Sequence, residues 1–552
     1  ITGRHASAHP GAEGMRGWAD LPEPIVFFPQ FLREQGYYTA NWGKVDYNTG
    51  RYLGGDTDLA LKAAWNESAH IWEHPGDDAP ERGPHWRHRK DPEQPFFQMF
   101  NLISTHMSQL FPQERSTKDP LHDPAAVILP PHHPDTPTVR RDWAFFLDRI
   151  EEADREVGGI LDDLIEDGEL DDTIVFWFSD HGGALMRSKR SIFDSGTRVP
   201  MVIWFGKNVR HLAPEAKEGR IERLVSLVDL APSMLNLLGL PIPDYMHGQP
   251  FLGKNLPAPA ESIFLHRQRM SEHIDLSRAV HDGRFLYIRH YLPRRPLGPP
   301  GAFQSRIPAV AEWAGHYGKS DLPAHQRAGL EAKPFEELYD TRTDIHNLAN
   351  VAENPAYAAT LHRLRQALDT RMVNTEDAGL FWTFDPSSTT FETVKSAADL
   401  AAKADSSQLP ALRDLLRSEI PVLRFWGASG SAELGTAAAD LAEDLRPLLH
   451  DPEPVVRILA AEALAAQGHW QGTYPVFKEA LSTSGRPQPS TALWSLNSML
   501  ILGPSHFTSL KADIEKLSSG RSFENHAANH VLNFMKDARK PKPSFSIIPL
   551  EN

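Results

Sequence analysis

One run constrains this chain more than any other: Thr173-Ile-Val-Phe-Trp-Phe-Ser-Asp180-His181-Gly182-Gly183, followed by Lys189 and by Arg198-Val-Pro200. Its first six residues are β-branched or aromatic and read as a buried strand, which breaks abruptly into Ser-Asp-His-Gly-Gly. In an open α/β sheet, ligands bind beyond the C-terminal ends of the strands, so Asp180 and His181 emerge where chemistry is done. A carboxylate beside an imidazole suits a divalent cation. A lysine a few residues on suits an anion.

Two more strands end in the same way. Pro95-Phe-Phe-Gln-Met-Phe-Asn-Leu-Ile103 runs into Ser104-Thr105-His106, and Gly36-Tyr-Tyr-Thr-Ala-Asn-Trp-Gly43 runs into Lys44-Val45-Asp46-Tyr47-Asn48. Residues 27–35 carry apolar side chains at helical spacing with Gly36 as a stop. Residues 138–168 set Trp143, Phe146, Ile150, Val157, Ile160, Leu161 and Leu164 along one predicted helical face. Alternating helices and strands predict an α/β fold, a mostly parallel sheet sandwiched by helices. Lys44, His106 and Lys189 are then donors for a tetrahedral anion, and Asp180 and His181 are metal ligands. Together they describe a pocket for a sulfate or phosphate ester. No nucleophile with a neighbouring base is visible; Thr2 and the serines near position 190 have none.

These residues resemble the sulfatase family of the alkaline-phosphatase superfamily. Ile1-Thr2-Gly3-Arg4 is similar to the end of the family's hallmark, Cys/Ser-x-Pro-Ser-Arg followed by Thr-Gly-Arg. Gly43-Lys44, Thr105-His106, Ser179-Asp180-His181-Gly182, the run 189–200 and Val228-Asp229-Leu-Ala-Pro-Ser233 continue the likeness in order. Glu337-Leu-Tyr-Asp340, Asp344 and Asn347-Leu-Ala349 carry it to about residue 375. The resemblance implies an alkaline-phosphatase-like fold and a formylglycine nucleophile upstream of Ile1, with a pair of metal-binding aspartates farther upstream. On that reading the chain is N-terminally truncated and inactive as it stands, and its lack of cysteine is no objection.

Position by position, the resemblance makes Asp180 and His181 ligands of one divalent metal: Ca2+ by family habit, with Mn2+ or Zn2+ open because of the histidine. Lys44 and Lys189 would hold sulfate oxygens, and His106 would bind sulfate or move a proton. Arg4 would support the nucleophile's helix. Many sulfatases have Gly-Lys-Trp-His where this chain has Gly43-Lys44-Val45-Asp46; Lys44-Val-Asp-Tyr-Asn48 is closer to the bacterial branch resembling heparan N-sulfatases. Trp86 and the Lys189-Arg190 pair fit that branch, and Asp46 could read a sugar amine or hydroxyl. The implied substrate is a sulfated carbohydrate, with heparan-type N- or O-sulfate as the nearest case. A phosphodiesterase or phosphonate monoester hydrolase of the same superfamily and a non-catalytic glycan-binding or scaffold protein are the alternatives. The family also implies a periplasmic or secreted location.

The net charge of −15 over 552 residues argues against general nucleic-acid binding, which needs a basic face. No apolar run reaches the roughly 20 residues of a membrane span. The expected organisation is a catalytic α/β domain over 1–250, a small antiparallel subdomain over 251–375, a linker over 376–397 and a helical region over 398–552. In the subdomain, Arg289, His290, Arg294 and Arg295 form a basic cluster that could meet a sulfated chain or simply face water. In the helical region, Pro421-Val-Leu-Arg424 and Pro454-Val-Val-Arg457 repeat at an offset of about 33 residues. The second unit is similar to HEAT-like repeats, which could offer a surface to a protein or glycan. Past Lys536 a Lys/Pro-rich tail is expected to be extended.

Overall fold

A computed structural model describes residues 1–48 (without 13, 16, 18, 20 and 46), 59–70, 83–297 (without 116 and 217), 301–319 (without 317 and 318), 321–484 and 489–536 (without 521). The tail past Lys536 and Asp46 lie outside these residues. The helix Phe28–Glu34 starts at Phe28 with Pro29 in its first turn and stops before Gly36, whose φ of +87° lets the chain reverse into β1, Tyr38–Gly43. β1 is buried along its whole length and lies between β2 (Glu67–His70) and β3 (Phe96–Phe100). Both pairings are parallel, with Ala40 opposite Glu67 and Tyr38 opposite Phe96. Parallel neighbours send their C-terminal ends to the same edge, so Lys44 and the Asn101–His106 segment leave the sheet together.

The Asp180 strand departs from expectation. β4 (Ile174–Phe178) pairs antiparallel with β5 (Met201–Phe205), Phe178 opposite Met201, in a two-stranded ribbon. Among the described residues it shares no hydrogen-bonded ladder with β1–β3. One face of the ribbon leaves Trp177, Val202 and Trp204 partly exposed.

The long helix Pro137–Glu166 matches its predicted span, capped by Thr136, whose Oγ1 accepts the Val139 N–H. Its buried stripe is rotated from the predicted one. Val139, Asp142, Ala144, Phe145, Asp148, Ala153 and Leu164 are buried, and Ile150 is 45% exposed. The reason is polar: Asp142 accepts from Arg115 and from Ala309 N, and Asp148 accepts from the backbone N–H groups of Leu121 and His122. These carboxylates use the inner face to anchor loops, and apolar side chains move aside.

The small subdomain is a four-stranded antiparallel meander: β6 (Ile263–Arg267), β7 (Ser277–His281), β8 (Phe285–His290) and β9 (Glu336–Asp340). Asp282-Gly283, with Gly283 at φ +89°, turns β7 into β8 as its sequence predicts. The helix Ala358–Asn374 closes over it. The stretch 376–397 is no linker. Leu380, Phe381, Trp382 and Phe384 are buried in one core that runs from Phe264, Tyr287 and Leu338 through Leu364 to Trp426 and Trp494. The helical region therefore begins at the helix Phe391–Lys403 and shares its core with the subdomain.

The basic cluster is neither solvated nor open to a ligand. Arg289 pairs with Asp369 and Asp399, His290 faces Glu337, Arg294 donates to the Ala432 carbonyl, and Arg295 pairs with Glu462. Buried charges require partners, and here they tie subdomain to helices. Arg278 is the strongest case: its guanidinium grips both oxygens of Asp377, with neither side chain exposed. Arg278→Ala leaves that carboxylate buried and uncompensated. We expect a loss of about 3–5 kcal/mol in urea unfolding followed by circular dichroism; a loss below about 1 kcal/mol would show that water reaches Asp377.

Candidate active site at the strand ends

Lys44 is placed by two asparagines. Asn41, fully buried in β1, donates to the Lys44 carbonyl at 2.9 Å, and Asn101, just past β3, donates to Asn41 Oδ1 at 2.9 Å and to the Trp42 carbonyl at 3.1 Å. Gly43 has φ +105°, and a Cβ there would sit 2.4 Å from the Asn101 carbonyl oxygen. Only glycine lets the two strand ends close over this turn. Sequence reasoning passed over both asparagines, although a polar residue inside each apolar strand run was the visible signal.

Lys189 rides on a loop folded onto itself. Gly182 N donates to Gly196 O and Lys189 N to Gly183 O, each at 2.9 Å. A Cβ on Gly182 would lie 1.9 Å from the Ser195 carbonyl oxygen, and one on Gly196 2.3 Å from that of Ser188. The residues next but one and next to Lys189, Arg187 and Arg190, have φ of +57° and +71°, which costs free energy in non-glycine residues and persists only where packing enforces it. Arg187 provides that packing. It donates to the His346 carbonyl at 2.8 Å and lies over the Phe193 ring at 3.7 Å, while Asn347 Oδ1 accepts from Asp194 N at 3.0 Å. The Asn347-Leu-Ala motif thus holds the Lys189 loop.

Asp180 and His181 follow β4 directly. Asp180 is 70% exposed at its side chain and His181 34%. His181 Nδ1 lies 2.7 Å from the Gly182 carbonyl, so Nδ1 carries the proton, and Nε2 lies 3.3 Å from Asp180 Oδ2. Burial first, then the Lys189 and Lys44 ammonium groups, push His181 below the ordinary imidazole pKa, against the opposing pull of Asp180. A neutral imidazole then turns its lone pair toward a carboxylate oxygen. Two electron-rich atoms at that separation are arranged for a cation between them, so these residues fit a divalent metal.

The same interactions bring Lys44 and Lys189 to bear on one imidazole. His106 is positioned separately: it precedes the turn Met107–Leu110, its Nδ1 lies 2.8 Å from Ser108 Oγ, and its ring faces Phe303 at 6.3 Å. The next residue, Gln304, accepts from Arg190 Nη1 at 3.1 Å, which links His106's surroundings to the Lys189 loop. A solvent-open cavity of about 560 Å³ is lined by Lys189 with Arg187, Arg190, Ser191 and Arg267 among others, but not by Lys44, His106, Asp180 or His181. Arg4 Nη2 donates to the Ala8 carbonyl at 3.4 Å, bracing the first turn of the chain. Trp86 is fully buried and donates to Asp167 at 2.8 Å, a structural tie to the end of the long helix.

Residues 1–240 match the family described as Sulfatase. That match takes in less than half of the 552 residues, and it is the stretch that carries Lys44, His106, Asp180, His181 and Lys189. An "Ulvan-active sulfatase" of Formosa agariphila is 33% identical over 382 residues, covering 63% of this chain and 59% of that protein. The human "N-sulphoglucosamine sulphohydrolase" is 26% identical over 262 residues, 45% of this chain and 51% of that protein. The chain spans between half and three-fifths of the length of these two sulfatases. A solved 2-O GAG sulfatase aligns with 68% of this chain and 82% of its own at 16% identity and a TM-score of 0.43.

The electrostatic coupling is testable without turnover. Lys189→Ala removes a cation that disfavours imidazolium, so the His181 pKa rises. Carbon-13 titration of labelled histidine, with the His181 signal assigned by His181→Gln, reads this directly; an unchanged or lowered midpoint would separate Lys189 from the imidazole.

Proposed function

We propose that this chain is part of a sulfatase, a sulfuric ester hydrolase acting on a sulfated carbohydrate, with heparan-type N- or O-sulfate as the first substrates to try. The observation that supports it is the shared neighbourhood of His181: a carboxylate at 3.3 Å and two lysines acting on one neutral imidazole. A sulfate ester carries its charge on equatorial oxygens, and charge builds on the leaving oxygen as the S–O bond breaks. Lys44 and Lys189 are the proposed clamps for those oxygens, with Lys189 nearer the leaving alcohol. His106 binds sulfate or delivers a proton to the departing alkoxide. Asp180 and His181 would hold the metal, Ca2+ on the family's habit and Mn2+ or Zn2+ on the imidazole's preference, which supplies positive charge to the sulfate oxygens. The nucleophile is a formylglycine preceding Ile1, and Arg4 braces the segment that presents it. Asp46 is the proposed reader of the sugar.

The helical region is proposed to be a HEAT-like array. Pro421 and Pro454 both open helices, and Arg424 and Arg457 bond loop carbonyls before their own helices in the same way, at 3.0 and 2.9 Å for Ser418 and Glu419 and 2.7 Å for Asp451. Its outer surface is the proposed contact for a glycan or protein, and the periplasm or exterior the proposed location.

The test uses matched aryl sulfate and phosphate diester substrates with protein carrying the upstream nucleophile. Sulfate hydrolysis dominates, and Lys189→Ala and His106→Ala each lower kcat by roughly 10²–10³. Preference for the phosphate diester overturns the assignment; near-normal rates in both variants remove these residues from the site.

A further inference from the structure

Away from the strand-end site, three ligand-type side chains meet where the small subdomain touches the last described helix. Glu272 and His273 stand in the connection between β6 and β7, in a tight turn closed by reciprocal hydrogen bonds between Met270 and His273 at 3.0 and 3.1 Å. His530 projects from the helix Phe523–Lys536. One ligand atom from each residue lies within 4.8 Å of the other two.

Each of the three has a buried polar atom without a hydrogen-bond partner: Glu272 Oε2, His273 Nε2 and His530 Nδ1. Three clustered residues that each leave such an atom unsatisfied demand an explanation, because buried polar groups are nearly always satisfied by protein, water or an ion. Glu272 is 0% exposed, and among the described residues no lysine or arginine pairs with it; its nearest cationic candidate is His530 Nε2 at 4.0 Å. Its Oε1 accepts from Ala302 N at 2.6 Å, but Oε2 faces Gly301, where a Cβ would stand only 2.9 Å away. The two imidazole rings stack at 5.6 Å and 22° beside it, and neither comes within salt-bridge contact closer than the 4.0 Å of His530. A buried carboxylate left without a countercharge is costly.

We propose that Glu272, His273 and His530 form a zinc site that fastens the C-terminal helix to the catalytic half of the chain. Two neutral imidazoles and one carboxylate are a donor set suited to Zn2+, which takes four ligands in tetrahedral array and leaves a fourth position for water. Calcium, which prefers six to eight oxygens, is poorly served here. Tetrahedral ligands stand roughly 3.4 Å apart at ordinary Zn–N and Zn–O lengths, so the ligand atoms close in slightly on binding. The turn that carries two of them is held ready: Asn497 donates to the Glu272 carbonyl at 2.9 Å and accepts from Ile274 N at 3.0 Å. Support of this kind fixes the ligands' backbone on both sides. His273 also lines the cavity that Lys189 lines, but the ligand set shares no residue with the Asp180–His181 pair.

The experiment uses the full chain carrying Asp180→Asn and His181→Gln, so that the strand-end pair contributes no metal binding. After chelation and dialysis, Zn2+ alone is titrated by calorimetry, and Co2+ serves as a spectroscopic substitute. One equivalent of Zn2+ binds, and Co2+ gives the intense visible bands of a tetrahedral site. His530→Gln and Glu272→Gln, checked for unaltered far-ultraviolet circular dichroism, weaken Zn2+ binding at least about tenfold and abolish those bands. His526→Gln, one turn earlier on the same helix, binds as its parent does. Absence of Zn2+ binding in the parent overturns the proposal without recourse to any variant, as does undiminished binding in both ligand variants.

Discussion

The arrangement of the strand-end site rests on one steric constraint, the closure of residues 182–196 over their own backbone. Gly182 faces the Ser195 carbonyl and Gly196 those of Ser188 and Ser191 at distances that exclude any side chain. Such a loop has few conformations, so the lysine on it is delivered to one place. Arg187, bonded to His346 and stacked on Phe193, adds the external anchor. A lysine on a free loop would lose its position to conformational entropy. Here the ordering is completed in folding.

The Lys44 turn is held by a different device with the same effect. In β1 and just past β3, asparagines use the fixed geometry of parallel strands to hold the Lys44 turn. Two rigid backbones therefore bring two ammonium charges to bear on one imidazole, adding to the burial that already lowers its pKa. Electrostatic preorganisation of this sort costs nothing at the moment of reaction.

Local patterns were legible in the sequence wherever one element decides its own form. The strand ending at Asp180, the Gly36 stop, the Asp282-Gly283 turn and the helix opening at Pro137 all follow from nearest neighbours and periodicity. What depended on partners was not legible. The ribbon β4–β5 pairs antiparallel, although its apolar run is what a parallel core strand would also show. The long helix turns Asp142 and Asp148 inward because loops need their carboxylates, so its hydrophobic stripe misled. Arg289, Arg294 and Arg295 looked like a surface cluster, since the groups their guanidiniums meet, Asp369, the Ala432 carbonyl and Glu462, come from distant helices. Glu272-His273 and His530 were invisible as a group for the same reason. The candidate site residues Lys44, Asp180, His181 and Lys189 were nominated by motif, while the asparagines and arginine that position them emerged only from contacts.

The measurement that bears most directly on the central claim is a crystal structure of this chain grown with sulfate and Ca2+ or Mn2+. The account predicts a tetrahedral anion between the Lys44 and Lys189 ammonium groups, beside a cation bound by Asp180 and His181 Nε2. Lysines directed to opposite sides of the sheet, or a cation seated away from Asp180 and His181 with the anion elsewhere, would contradict it.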